Sequence, residues 1–315
     1  MQSDSLRRQI SDFLGFRIPE SIAPFTTHEL VEQPSYRGAR ISYTGEEGDP
    51  IPAFLWLPDR TGPCAAVLVH HQHNSQRHLG KSEVAGLVGD PLQAFGPALA
   101  RRGIAVLAPD SICFEDRRRN RSGAEPDGVA DVDQHYNEMC YRLVRGDTLM
   151  RKVLDDSARG ISLLCEHPLI DSERIGMMGH SYGGNTVLFH AALDERIRFA
   201  CSSGAACTYR HKLAHQYGIE MAEVIPGFAA RFDIADLVMC MAPRRVLIVS
   251  ATNDATSQDA DMIVASAQAA WEALGAAQRL EHARYAGDHA VTPERFDTMV
   301  SWLAAAASGA PDDNA

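Results

Sequence analysis

The amino-acid sequence predicts an α/β protein: a mostly parallel central sheet with helices on both faces and an antiparallel strand pair at its N-terminal end. Three observations carry this. Short, largely uncharged apolar runs at 65–69, 104–107, 175–178, 197–201 and 246–249 read as strands buried on both faces. Segments of helical periodicity alternate with them. The clearest is 147–165, where Met150, Val153, Leu154, Ile161, Leu164 and Cys165 fall on one stripe behind Asp147. Finally, at 174–184 an apolar run passes directly into a glycine-rich turn and then into a helical pattern. Alternation of this kind makes a layered sheet with helical flanks.

Taken in order, Leu6, Ile10, Phe13 and Leu14 mark one face of a short N-terminal helix, with Ser3 or Ser5 as its cap. That face is expected to lean on the main body or on a second subunit, which makes a homodimer an expectation. Residues 1–36 read as this helix and a lead-in, 37–307 as a single domain, and 308–315 as a flexible tail. Alternating residues around Gly45-Glu46-Glu47-Gly48-Asp49-Pro50 predict a hairpin. Residues 84–100 predict a helix broken near Gly89-Asp90-Pro91. Further helices are expected at 259–274 and 293–307, with a strand at 280–285. Two stretches, 111–145 and 206–241, break the rhythm and read as loops or short helices over the site. The basic run from Arg117 to Arg121 reads as a solvated face.

Charge narrows the partners. Thirty Lys and Arg against 41 Asp and Glu give a net charge of −11, which argues against nucleic acid or an anionic membrane surface. No apolar run approaches the roughly 20 residues that cross a bilayer, and the first ten residues lack the apolar core of a secretion signal. Seven scattered cysteines, never in a C-x-x-C pair, favour free thiols in a reducing cytoplasm.

Gly179-His180-Ser181-Tyr182-Gly183 fits G-x-S-x-G in a strand–turn–helix context, the signature of a strained turn that projects a nucleophilic serine. A serine hydroxyl needs a base, and the base needs an orienting acid. Asp254 follows the strand at 246–249, and His289 follows the strand ending at Tyr285, giving the order Ser, Asp, His. Asp259 or Asp261 could take the acid's place. The oxyanion would be held by the backbone N–H of Tyr182 and by one from the loop after 65–69, Gln72 first and His71 second. His71, His73, Phe114 and Tyr209 are candidate substrate-binding residues. His70, His71, His73 and His78 cluster in sequence, but no acid or cysteine partner stands at zinc-like spacing, so no metal and no cofactor is expected.

With these residues in place, the chain resembles the α/β-hydrolase superfamily from about 40 to 303. Within it, the chain resembles the dienelactone-hydrolase and acetyl-xylan-esterase-like group. The closer match rests on His71-Gln72-His73-Asn74 with Gly80-Lys81, on Asp110 with Phe114 and Arg117, on Ile225-Pro226-Gly227, and on Ala242-Pro243-Arg244. Dienelactone hydrolases use a cysteine where this chain has Ser181. Together, residues and resemblance imply a serine hydrolase that cleaves a carboxylic ester of a small or medium substrate through an acyl-enzyme on Ser181. The continuation Tyr182-Gly183-Gly184 is shared with oligopeptidase-like members, which keeps amidase or peptidase chemistry open. Carbon–carbon bond hydrolysis and a binding protein on a hydrolase scaffold are the further alternatives.

Overall fold

The computed structural model describes residues 2–20, 24–33 and 35–309; most of the expected C-terminal tail, from 310 on, lies outside the described residues. Helix α1 (Gln2–Leu14) precedes strands β1 (Thr26–Gln33), β2 (Tyr36–Thr44) and β3 (Pro50–Pro58). Strand β4 (Cys64–His70) is followed by two short helices, α2 (Lys81–Val84) and α3 (Phe95–Ala100), and by β5 (Ala105–Pro109). Helices α4 (Val129–Val144) and α5 (Leu149–Glu166) lead to β6 (Ile170–His180), α6 (Tyr182–Leu193) and β7 (Phe199–Ser203). The chain ends with α7 (Tyr209–His215), α8 (Ile234–Met239), β8 (Arg245–Ala251), α9 (Ala260–Glu272), β9 (Leu280–Tyr285) and α10 (Pro293–Ser308).

Among the described residues, the strands form one nine-stranded sheet in the order β1-β2-β3-β5-β4-β6-β7-β8-β9. β1, β2, β3 and β5 pair antiparallel, and all pairings from β5 through β4 to β9 are parallel. Successive residues of the central strands feed opposite cores, which is why they read as unbroken apolar runs. Leu68, Leu107, Met177 and Ile248 pack beneath α5, α6 and α9, whereas Val67, Val106, Met178 and Val249 pack beneath α3 and α10.

Several expectations change. β1 was not foreseen; it is an edge strand whose Leu30 is exposed, so it carries no buried alternation. The break expected near Gly89-Asp90-Pro91 is present, but the first helix ends already at Val84; the two short helices flank a turn in which Asp90 accepts the N–H of Leu92 at 2.9 Å. Ser3 and Ser5 lie inside α1 rather than at a cap. The apolar face of α1 is covered by its own chain: Ile10 and Leu14 are buried, and Phe13 meets Phe228 and Phe232 edge-on. It therefore offers no argument for a second subunit.

The basic run is also corrected in part. Arg117 is buried against Asp49 (2.5 Å) and Asp156 (2.7 Å), and Arg118 is buried against Asp131. Arg119 stays largely exposed while reaching Glu138. Residues 129–144 form a full helix with little apolar periodicity because its buried face is largely polar: Asp131, Gln134, His135, Glu138 and Arg142 beside Met139. Of these, Asp131 neutralises Arg118, and Glu138 pairs with Arg119 and Arg142.

Candidate active site

Strand β6 delivers the turn. Ser181 has φ 55° and ψ −119°, a conformation that non-glycine residues rarely adopt, held by its N–H donating to the Ser203 carbonyl at 2.8 Å. A Cβ on Gly179 would run into the backbone of Gly183, and one on Gly183 would run into the carbonyls of His70 and His71. Both positions therefore need glycine. Helix α6 begins at Tyr182, so its first N–H groups lack intrahelical acceptors and present partial positive charge beside Ser181.

Loops from the C-terminal ends of β8 and β9 bring the other two groups to this serine. His289 Nε2 lies 2.8 Å from Ser181 Oγ, and its Nδ1 lies 3.0 Å from Asp254 Oδ1. Asp254 is buried, which works against its ionisation. Hydrogen bonds from His289, Ser257 (2.6 Å) and Thr256 (2.6 Å) nevertheless hold its carboxyl well below the usual range. An ionised acid accepts only, so Nδ1 carries the proton and Nε2 faces the hydroxyl as acceptor. The competing acids are engaged elsewhere. Asp259 receives the Thr208 N–H at 3.0 Å, and Asp261 pairs with His282 at 3.2 Å.

Three contributors were not anticipated. Thr256 bridges Asp254 and the Gly204 carbonyl (2.8 Å), and Ser257 fixes the second carboxylate oxygen. The Asp-x-Thr spacing that makes this local turn was the available signal. His180, the residue before the serine, lies beneath His289 with ring centroids 4.7 Å apart, and its Nδ1 meets Ser203 Oγ at 3.0 Å. Burial, with His289 beside it, pushes the His180 pKa down to about 3 and leaves it uncharged there.

An open cleft of about 310 Å³ adjoins the serine, lined among others by His73, Asn185, Lys212, Glu220 and Glu223. The stretch 206–241 thus reaches the site, while 111–145 lies behind it. His73 does face the cleft, where it hydrogen-bonds Glu220. The other candidates differ. His71 is buried, with its ring between the Gln72 carbonyl (2.7 Å) and the Ser111 N–H (3.1 Å). Phe114 is buried against the rings of His71 and Tyr182, at 4.7 and 5.0 Å. Tyr209 is buried and donates to the Glu223 carbonyl at 2.7 Å, so it supports the cleft from behind instead of lining it. The Gln72 side chain is turned away to Glu83 at 3.3 Å, leaving only its backbone for the site.

The histidine run has no common focus: His70 bonds Ser157 (2.7 Å), and His78 lies 3.9 Å from Asp131. Among the described residues, one group of three carboxylates converges, Asp110, Glu115 and Asp116. Its centre is taken by Lys81 Nζ, at 2.8, 2.5 and 2.7 Å from the three.

Glu220 gives a pH prediction. Burial opposes its ionisation, but His73, His135 and Arg77 outweigh this and bring its pKa down to about 2. A carboxylate depressed below its unfolded value, near ~4.3, stabilises the fold above that value and loses the contribution as pH falls toward about 2. Glu220→Gln should therefore lower the melting temperature at pH 7, and the gap to wild type should close between about pH 4 and 2. A gap that is constant across that range would refute the assignment.

The profile of the prolyl oligopeptidase family matches residues 125–255, a span that holds Ser181 and Asp254 but stops before His289. A Bacillus subtilis (strain 168) protein named as a hydrolase, YtaP, is 29% identical over 256 residues, 79% of each chain. A Bacteroides fragilis protein named as an acetyl xylan esterase superposes with a TM-score of 0.73 at 15% identity, covering 90% of this chain and 74% of the other. The chain has the α/β-hydrolase fold. A glucuronoyl esterase from Solibacter usitatus has the same fold at a TM-score of 0.67 and 14% identity, covering 96% of this chain and 92% of the esterase. No helix among the described residues is long and apolar enough to cross a membrane.

Proposed function

We propose that this α/β-hydrolase cleaves carboxylic esters through an acyl-enzyme on Ser181. The observation that carries this is the unbroken hydrogen-bonded line from Ser181 Oγ through His289 to Asp254 Oδ1, at 2.8 and 3.0 Å. His289 Nε2 takes the hydroxyl proton as Oγ bonds to the acyl carbon. Asp254 holds the ring and stabilises its cation. The developing oxyanion is received by the N–H of Tyr182 and by one from the 70–73 loop, for which Gln72 is the candidate. Collapse breaks the bond to the alcohol, and His289 returns the proton to the departing oxygen. Water then adds to the acyl-enzyme with His289 again as base, releasing the acid and Ser181. No step calls for a metal or organic cofactor.

The cleft favours a polar substrate. Asn185 Oδ1, Glu220 Oε1 and Glu223 Oε1 are buried without a hydrogen-bond partner among the described residues. Unmet buried acceptors are costly until a ligand supplies donors, which an acylated compound bearing hydroxyl groups would do and a long alkyl chain would not. The likeness to an acetyl xylan esterase and a glucuronoyl esterase agrees with this reading. The family match over 125–255 supports a second one, a peptidase. Acetylated sugars, 4-nitrophenyl esters of increasing chain length and matched anilides would separate them. Highest kcat/KM is expected on the acetylated sugars, with anilides about 10³-fold or more below the matched esters. Anilide turnover equal to or above ester turnover would reverse the assignment.

A further inference from the structure

Ser157 sits mid-way along α5, 1% exposed, and takes no part in the chemistry proposed above. A serine inside a helix ordinarily bonds back to a carbonyl one turn earlier. Ser162 of the same helix does this, donating to Ala158 at 3.1 Å. Ser157 instead reaches outward in two directions, to His70 Nε2 at 2.7 Å and to His190 Nδ1 at 2.8 Å. Beyond it, His190 Nε2 lies 3.3 Å from Asp194 Oδ2, and Arg196 grips the same carboxylate at 2.6 Å.

The direction of the protons follows. Burial drives the pKa values of His70 and His190 below the ordinary histidine value, so each ring is neutral and has one donor and one acceptor. The Asp194 carboxylate lies beside Nε2, outside hydrogen-bond geometry, and its negative charge favours the His190 proton on that nitrogen. Ser157 then donates to His190 Nδ1 and accepts from His70 Nε2–H. A line of Asp, His, Ser and His runs through the core with no opening to solvent, since their residues are 0%, 0%, 1% and 4% exposed.

Burying four polar side chains to fill space is unfavourable compared with apolar residues of similar volume. What this line does that apolar packing would not is join particular elements. His70 is the last residue of β4, where the proposed oxyanion loop departs, and His190 belongs to α6, whose first residue is Tyr182. The two proposed oxyanion donors come from these separate elements. They stabilise charge only when their spacing is held to within a few tenths of an ångström.

We propose that Asp194, His190, Ser157 and His70 form a buried positioning relay that sets the oxyanion loop against the N-terminus of the nucleophile helix. This rests on the reading of Ser181 as the nucleophile. None of the four touches the reacting atoms; they act through the loop and the helix.

The test is Ser157→Ala, which cuts the relay at its centre, assayed on 4-nitrophenyl acetate and against phenylboronic acid. The boronate adds to a serine oxygen as a tetrahedral anion and so reports on the oxyanion site. Folding is checked by near-UV circular dichroism and melting temperature. Shifting the donors rather than deleting one should cost about 10- to 50-fold in kcat, with KM within about threefold. The boronate inhibition constant should rise by a similar factor. Ser157→Cys, of similar volume with a weak donor, should fall between the two and decides the matter if the alanine variant does not fold. Unchanged kcat in a folded variant, or a loss of kcat with boronate binding intact, overturns the relay alone. A wild-type protein that neither turns over the ester nor binds the boronate overturns the esterase reading and the relay with it.

Discussion

Ser181→Ala is expected to lower kcat on an activated ester by on the order of 10⁶-fold, leaving only what binding and the oxyanion donors give over water. The fold should be untouched. The Ser181 N–H bond to Ser203 and the Asn185 N–H bond to the Ser181 carbonyl are main-chain and survive. Only the 2.8 Å contact from Oγ to His289 is lost. Alanine keeps the strain at φ 55°, so its melting temperature should match wild type, whereas Ser181→Gly should be equally inert and melt higher. Turnover of Ser181→Ala within about 100-fold of wild type would remove Ser181 from the mechanism. Activity and melting curves on the same preparation make the comparison.

Much of this arrangement was legible because it is local. The elbow is contiguous, and the strand ends that carry Asp254 and His289 are marked by apolar runs with turn residues behind them. Long-range polar packing was not legible. Helix α4 inverts the usual rule: Asp131, His135 and Glu138 face inward, while Val129, Tyr136 and Val144 are exposed. Hydrophobic periodicity cannot find a helix whose buried face is held by ion pairs. For the same reason Arg117 and Arg118 read as surface, since their acids Asp49, Asp156 and Asp131 are distant in sequence or inside that unrecognised helix. The cleft residues Lys212, Glu220 and Glu223 come from a stretch without a motif. Tyr209 shows the converse: its type suited a binding site, but the chain turns it inward, behind Glu223.

Asp254→Asn is expected to reduce kcat on the order of 10³–10⁴-fold while leaving KM within a few-fold. The carboxylate receives four donors on two oxygens. His289 Nδ1, Thr256 N and Thr256 Oγ1 converge on Oδ1 at 3.0, 3.0 and 2.6 Å, and Ser257 Oγ reaches Oδ2 at 2.6 Å. An amide has one acceptor oxygen to offer. Turned with its nitrogen toward His289, it opposes two donors from Thr256 and selects the imidazole tautomer that cannot accept the Ser181 proton. Turned with its oxygen toward His289, it keeps the tautomer but no longer stabilises the cation formed during attack. Both orientations slow the acylation step. Thr256→Val, which removes one donor and leaves the charge, should cost far less, about 10-fold. Asp259→Asn should be nearly silent in kcat, because that carboxylate is committed to Thr208 at 3.0 and 2.5 Å. Kinetics of the three variants side by side decide it: a silent Asp254→Asn with a crippled Asp259→Asn would move the acid to Asp259 and require His289 to turn away from the contact it makes here.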